Sequence, residues 1–436
     1  MHITRAAIEN IRIIPRFTFE LGKSEQKPGW HVILGDNGAG KSTLIRALAI
    51  TLIGEQNAAA LRQDWSSWVG TAARGGSIAL SLAADKSKYD KWSGKGRQAD
   101  KPITPRLSLQ RESLFKLRSS QGRVRLSARP SFSGSYAKRT VWGSGAGWFS
   151  AAFGPFRRFR GGDREYDKLY YSHPRLAAHL SAFGEDVALS EALAWVKDSQ
   201  FKALEGRSDE QSLIEKLLDF INKSELLPHG ARLAGVTSDG VMVENGAGTE
   251  VAIEEMSDGY RSILAMTFEI MRAMEASFGS EAFLKAIDTS SNTVNLPGII
   301  LIDEIDSHLH PAWQSRIGQW FTERFPMIQF IVTTHSPIIC QAAERGSIWR
   351  LASPGSDEVS GRVRGREYDR LVYGNVLEAY STEYFGTGVT RSTASKDQMT
   401  RLAMLNRKGL RGKLSKQEEE ERVRLRQAMP SAATNV

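Results

Sequence analysis

The stretch GDNGAGKST, Gly35–Thr43, constrains this chain more than any other. It fits G-x-x-x-x-G-K-[ST] at Gly35, Gly40, Lys41 and Ser42. The glycines let successive backbone N–H groups curl around phosphates, the lysine reaches the β/γ oxygens, and the hydroxyl ligates magnesium. WHVIL before the loop reads as a buried strand and TLIRALAITLI after it as a helix. Strand, loop and helix in this order predict an α/β core. They place a nucleotide triphosphate on Asn37, Gly38, Ala39, Gly40, Lys41, Ser42 and Thr43.

Two further apolar strands end in chemistry. GIILIDEIDSHLHP (Gly298–Pro311) carries Asp303 and Glu304 at its C-terminal end, the end that faces the ligand crevice in an α/β sheet. Asp303 would hold magnesium through water, and Glu304 would orient or deprotonate an attacking water. FIVTTHSP (Phe330–Pro337) ends in Thr333, Thr334 and His335, and a histidine there can donate to a γ-phosphate. The H-x-H spacing of His308 and His310 suits a metal. No third ligand accompanies it, which leaves structural or interface roles open. A second turn, EEMSDGYRS (Glu254–Ser262), opens the helix-like run SILAMTFEIMRAM with Ser257 and Gly259. The free N–H groups and dipole of such a helix start suit an anion.

Composition excludes several classes. The 436 residues are 41% hydrophobic and 25% charged, which are globular values. One cysteine, Cys340, leaves neither a disulfide framework nor a cysteine metal cluster and fits a reducing cytosol. MHITRAAIENIRII lacks the apolar region of a signal peptide, and no uncharged apolar run is long enough for a membrane span. A cytoplasmic protein without membrane contact is expected. The net charge of +9 is uneven: between Asp85 and Tyr171, 20 Lys/Arg stand against 7 Asp/Glu, more than the whole excess. Such a segment suits a polyanion such as nucleic acid, with Arg123, Arg125, Arg139, Arg157 and Arg158 as candidates. A solvated basic insertion is the alternative. The aromatics of WFSAAFGPFRRF (Trp148–Phe159) read either as stacking platforms or as a buried strand face.

Phosphate loop, Gly-bearing turn, Asp-Glu strand and strand-end histidine follow the order of ABC-type ATPases, which this chain resembles. MSDGYRS is similar to the LSGGQ signature of that family, with Asp258 for the first Gly and Tyr260 for Gln. The resemblance implies that Ser257, Asp258 and Gly259 act in trans on the ATP of a partner. It implies a head-to-tail homodimer with two ATP molecules sandwiched between subunits, and Asp306 matches the loop that crosses this interface. Lys41, Glu304 and His335 would be catalytic, and Ser42 and Asp303 would hold Mg2+. SDGYRS, DEIDSHLHPAWQ and TTHSP look like the SMC/RecF/OLD group. The helical part between loop and signature is too short for a long coiled coil, and the residues after His335 show no acidic D-x-D cluster, so a nuclease in cis is not expected. GWHVILGDNGAGKS, AFGPFRR and the basic tail look like the ATPases of Septu-type and retron-associated phage-defence systems, whose partner is an HNH nuclease. The family's magnesium-contacting Gln has no clear counterpart: Gln110 and Gln121 lie in the basic hairpin, and Arg157 or Arg158 follows the strand that should carry it.

The implied fold is an ABC-type P-loop ATPase head, a mixed sheet with antiparallel strands, plus a helical insertion and a helical C-terminal arm. Lobe I with the phosphate loop and basic insertion would span 1–165, the helical insertion 166–240, lobe II with signature, Asp-Glu strand and histidine 241–375, and a basic helical arm 376–436. AIENIRIIPRFTFEL, LSLQRESLFKLRSSQGRVRLSARPSF (turned near Ser119–Gly122) and VMVENGAGTEVAIEEM read as hairpins, and SKDQ (Ser395–Gln398) and SKQE (Ser415–Glu418) as capping boxes. Two functions stay open: a regulator of a toxic effector nuclease, or a RecF-like repair ATPase that clamps DNA without an effector.

Overall fold

The alternating N-terminal residues form an antiparallel hairpin, β1 (His2–Ile11) and β2 (Ile14–Glu20), with Ile11 opposite Ile14 at the turn. The computed structural model describes the chain except residues 24, 26, 85–88, 93–100, 113–126, 144–145, 157–171, 185–189, 228–229, 238–239, 381, 383–392 and 429–436. It contains two compact units, Met1–Tyr373 and Gly374–Val436.

In the first unit, β3 (Gly29–Leu34) enters the phosphate loop and α1 (Lys41–Ala60) leaves it. β4 (Gly75–Ala83), β5 (Arg106–Glu112) and β6 (Ser127–Ser133) extend the hairpin into a five-stranded antiparallel sheet, ordered β2-β1-β4-β5-β6. β5 and β6 are the arms of the predicted basic hairpin, and its tip lies outside the described residues. β7 (Ser150–Phe153) is the strand read from the aromatic stretch. Trp148, Phe149 and Phe153 are buried, so these rings are a strand face rather than a stacking surface.

Helices α2 (Ser190–Leu204) and α3 (Ser208–Lys223) follow, with β8 (Arg232–Val236), β9 (Val241–Glu244) and β10 (Glu250–Ala252) as a small antiparallel sheet beside them. The signature turn then opens α4 (Asp258–Phe278). A two-residue ladder, β11 (Ile287–Asp288) and β12 (Thr293–Val294), precedes β13 (Gly298–Ile302). α5 (Pro311–Arg324) connects β13 to its parallel neighbour β14 (Ile328–Thr334). β15 (Gly346–Arg350) and β16 (Gly361–Arg362) complete the second large sheet, ordered β16-β15-β3-β14-β13-β7. All its pairings are parallel except β15 with β16.

Every residue of β3, β13 and β14 is buried, as continuous apolar runs at the centre of a covered parallel sheet must be. Residues of α1 share one hydrophobic core with both large sheets, because this helix is apolar nearly all round. The parallel pairing has one functional consequence. It brings the C-terminal ends of β3, β7, β13 and β14, and therefore the phosphate loop, Asp303 and His335, to one edge.

In the second unit, helices Val376–Tyr380, Thr393–Leu410 and Lys416–Ala428 follow. SKQE is a capping box: Ser415 N–H donates to Glu418 Oε2 at 2.9 Å and Glu418 N–H to Ser415 Oγ at 3.3 Å. SKDQ is not. Ser395 falls inside its helix, which Ala394, a strong helix former, carries past the expected start.

Candidate functional site

Leu34 ends β3, and the chain then turns through Gly38 (φ +81°) and Gly40 (φ +103°) into α1. A methyl group at Gly40 would also stand 2.9 Å from Ile14 Cγ1, so the β1–β2 turn rests on the phosphate loop. Asp36, Asn37 and Gly38 are exposed, whereas Ala39 and Thr43 are buried and Ser42 is partly accessible. Lys41 is buried, and its Nζ donates to Gly35 O at 2.8 Å, Asp36 O at 3.1 Å and His335 Nε2 at 2.7 Å. Burial lowers the Lys41 pKa against the opposing pull of Glu304, Asp303, Asp306 and Asp36. Burial also lowers that of His335, with the Lys41 charge second. His335 therefore meets the ammonium as a neutral ring, an acceptor on the side facing Lys41.

Asp303 follows β13 and is buried; its N–H donates to Phe153 O of β7 at 2.8 Å. Its carboxylate accepts from the Thr333 hydroxyl at 2.6 Å, and the same hydroxyl accepts from Glu304 N–H at 2.8 Å. Glu304 has a left-handed backbone, φ +46°, and its Oε2 accepts from Ser307 Oγ at 3.1 Å. Asp306 Oδ1 accepts from Thr334 Oγ1 at 2.5 Å. The Ser336 hydroxyl donates to Gln314 Oε1 at 2.7 Å, and the Gln314 amide donates to Leu309 O at 3.0 Å. The loop after β13 is thus pinned to the end of β14 by Thr333, Thr334 and Gln314. Sequence reasoning gave none of these three a role, although TT and HPAWQ stood beside the motifs it used.

The signature turn packs on the same loop. Ser257 is the N-cap residue of α4, and a methyl at Gly259 would stand 2.9 Å from His308 O. Arg261 pairs with Asp258 and donates to Glu254 O at 2.9 Å, and Tyr260 meets Trp313 edge to face at 5.7 Å. His310 caps α5, its Nδ1 accepting from Ala312 N–H at 3.3 Å, and His308 supplies the carbonyl under Gly259. Among the described residues no group of three or more metal-ligating side chains occurs. Gln110 lies on β5 opposite Gly75, in the other large sheet from β7 and β13. Arg139 ends a short 3-10 turn, Ala137–Arg139, and Arg123, Arg125, Arg157, Arg158 and Gln121 lie outside the described residues. Among the described residues no helix is long and apolar enough to cross a membrane.

Residues 83–341 match the family described as "AAA domain, putative AbiEii toxin, Type IV TA system". That span is more than half of the chain and holds the signature turn, Asp303, Glu304 and His335. The chain belongs to this AAA-domain family. Residues 5–114 of the AAA-domain chain match a second family, described as "AAA domain", and these include the phosphate loop. The chain is 25% identical over 351 residues to a Septu protein PtuA of Bacillus mycoides (strain KBAB4), covering 78% of this chain and 38% of that protein. It is 36% identical over 115 residues to the Retron Ec83 probable ATPase of Escherichia coli, covering 26% of this chain and 20% of that protein. The AAA-domain chain thus spans less than half the length of the curated relatives it matches. A solved SMC head bound to the C-winged helix domain of ScpA aligns with a TM-score of 0.47 at 16% identity, covering 83% of this chain and 97% of that one. The fold is a P-loop ATPase head of mixed sheet and helices, and the chain resembles the Septu and retron ATPases.

Proposed function

We propose that this chain binds ATP with Mg2+ and hydrolyses it in head-to-tail dimers, as the regulatory subunit of an anti-phage defence complex. A separate effector nuclease, of the HNH type, would be the partner under its control. The observation that carries the ATPase reading is the meeting of Lys41, Asp303, Glu304 and His335 at one edge of the parallel sheet. The donor set fits the ligands. Gly38 and Gly40 hold left-handed conformations that leave backbone N–H groups free to face phosphates, and Ser42 and Asp303 offer a hydroxyl and a carboxylate for a hard cation. Magnesium, when bound, neutralises charge on the β- and γ-phosphates. Lys41 adds a second positive charge there, and the exposed Ile13 of the β1–β2 turn, next to Gly40, would flank the base.

Glu304, held by the Thr333 hydroxyl at its backbone and by Ser307 at its carboxylate, would take a proton from water. Ser257 and Gly259 would act on the partner's nucleotide. The defence reading is supported by the likeness to the Septu protein, which extends over 78% of this chain.

Glu304→Gln tests the chemistry, since it keeps size and hydrogen bonding and removes the base. ATP binding should persist while turnover falls at least ~100-fold, the scale of a lost general base. Undiminished turnover would remove Glu304 from the mechanism. The regulatory claim is tested by co-purifying the protein with the product of a neighbouring nuclease gene, with and without ATP. Phage plating on cells that carry both genes, with wild-type or Glu304→Gln protein, completes the test. Equal protection from both would sever defence from hydrolysis.

A further inference from the structure

The distal part of α1 carries a second feature, outside the phosphate loop and its partners. The helix breaks at Gly54 (φ +79°), where an added methyl would stand 2.5 Å from Trp142 Cδ1. The Trp142 indole N–H donates to Thr51 O at 2.9 Å, and its ring meets Phe132 edge to face at 5.8 Å. The indole is therefore fixed against the break. Beside it opens a cleft of about 660 Å3, whose lining includes Asn57, Lys138, Trp142, His173 and Arg175, with Glu55 as its carboxylate.

Arg175 is the unusual member. Its guanidinium is largely buried, Nη2 makes no hydrogen bond, and no carboxylate pairs with it among the described residues. Burial alone pushes its pKa down to about 10. A buried cation without a counterion is costly, and buried polar groups normally find partners. Arg175 is only partly accessible and lines the cleft; Nη2 itself is closed off, so a phosphate there would be met by the other N–H groups of the guanidinium, a strong and directional donor. Lys138, exposed near it, adds a second positive charge to the lining. The volume is larger than a phosphate needs and falls in the range of small-ligand sites. The fixed indole offers an aromatic wall of the kind on which bases rest.

We propose that this cleft binds a 5′-phosphorylated nucleotide, its phosphate held by Arg175 and Lys138 and its base beside Trp142. The same chemistry is presented by a free mononucleotide and by the 5′ end of a DNA strand. None of the lining residues belongs to Gly35–Thr43, so the site is separate from the ATP site and does not depend on its assignment.

The test uses full-length Lys41→Ala protein, to weaken competition from the phosphate loop, titrated by calorimetry. The probes are deoxyadenosine 5′-monophosphate, a 5′-phosphorylated deoxydinucleotide and the same dinucleotide with a 5′-hydroxyl. The expected result is binding of a phosphorylated probe, at least tenfold weaker binding of the 5′-hydroxyl one, and at least a tenfold loss when Arg175→Gln is added. Binding of the mononucleotide identifies a free nucleotide as sufficient; binding of the phosphorylated dinucleotide alone identifies a strand end. Removing an unpaired buried charge should leave the melting temperature of the ligand-free protein unchanged or higher, so lost affinity cannot be ascribed to unfolding. Lys138→Ala, at an exposed position, provides an independent variant and should weaken the same probe severalfold. The proposal is overturned if no phosphorylated probe binds, if the 5′-hydroxyl probe binds as well, or if both variants keep the affinity.

Discussion

Thr333 donates its hydroxyl hydrogen to Asp303 across 2.6 Å, so the end of β14 sets the carboxylate at the end of β13. The same oxygen takes the N–H of Glu304. Thr333→Val keeps the shape, deletes both bonds and strands a backbone donor. Stability should fall by about 1–3 kcal/mol, the cost of an unsatisfied buried group. Turnover should fall at least ~10-fold, as Asp303 and Glu304 lose their common anchor, with ATP affinity changing much less. Denaturant titration and a steady-state ATPase assay read the two effects. Normal turnover in a destabilised variant would confine Thr333 to a structural role.

Lys41 stands between the phosphate loop and His335. Lys41→Ala should weaken ATP binding by roughly 10- to 100-fold, the range of a hydrogen bond to a charged group. His335→Ala leaves the ammonium with its two loop carbonyls, so it should affect turnover more than affinity. Equilibrium binding of a fluorescent ATP analogue to both variants separates the two roles. Equal losses of affinity would show that both residues act as simple binding groups.

The signature turn and the phosphate loop can be tested against each other by mixing. A Ser257→Arg protein and a Lys41→Ala protein should each be inactive alone. In a head-to-tail dimer, mixing them rebuilds one complete site from the intact loop of one chain and the intact turn of the other. Partial recovery of ATPase activity is expected. No recovery, once subunit exchange has been proven by labelling, would argue against a shared site.

Two fully buried histidines make the fold sensitive to acid. His31 sits between Ser347 Oγ and Lys27 O, and His179 between Ser150 Oγ and Arg175 O. Burial pushes both pKa values down to about 4. Above pH 6.5 each ring is neutral in both folded and unfolded chains, and nothing is lost. Below it the unfolded chain takes up protons that the folded chain refuses, so stability declines from pH 6.5 toward pH 4. The loss should reach about 2 kcal/mol for each ring by pH 5. Urea unfolding at pH 7 and pH 5 measures it, and His179→Gln should remove about half of the difference. A pH-independent midpoint over that interval would mean that both rings are protonated in the fold.

Much of this site was legible because its chemistry is local. Gly35 to Thr43, Asp303-Glu304 and His335 each end or begin an apolar run, and a parallel sheet brings such ends together. What remained hidden depends on register. Nothing in FIVTTHSP says that Thr333 faces Asp303 rather than solvent; that follows from the parallel pairing of β13 and β14. The packing of the β1–β2 turn onto Gly40 joins residues 14 and 40, which only the stacking of two sheets on α1 makes neighbours. SKDQ failed because a capping pattern is shared by helix starts and helix interiors, and Ala394 tipped the balance. The arms of the basic hairpin pair antiparallel as β5 and β6, in which apolar and polar residues alternate, while the expected turn near Ser119–Gly122 lies outside the described residues.

The left-handed backbone at Glu304 has an evolutionary corollary. A non-glycine residue there carries a conformational penalty of about 1 kcal/mol that glycine or asparagine would largely escape. The proposed base thus occupies a position where substitutions that would abolish the proposed hydrolysis are among those the backbone welcomes. A lineage released from selection for turnover could drift to Gly or Asn at position 304 and gain robustness, while keeping a loop that still grips nucleotide. Retention of Glu304 in a given homologue would then be a record of continuing selection on catalysis, and its loss would mark a nucleotide-gated switch that no longer resets itself.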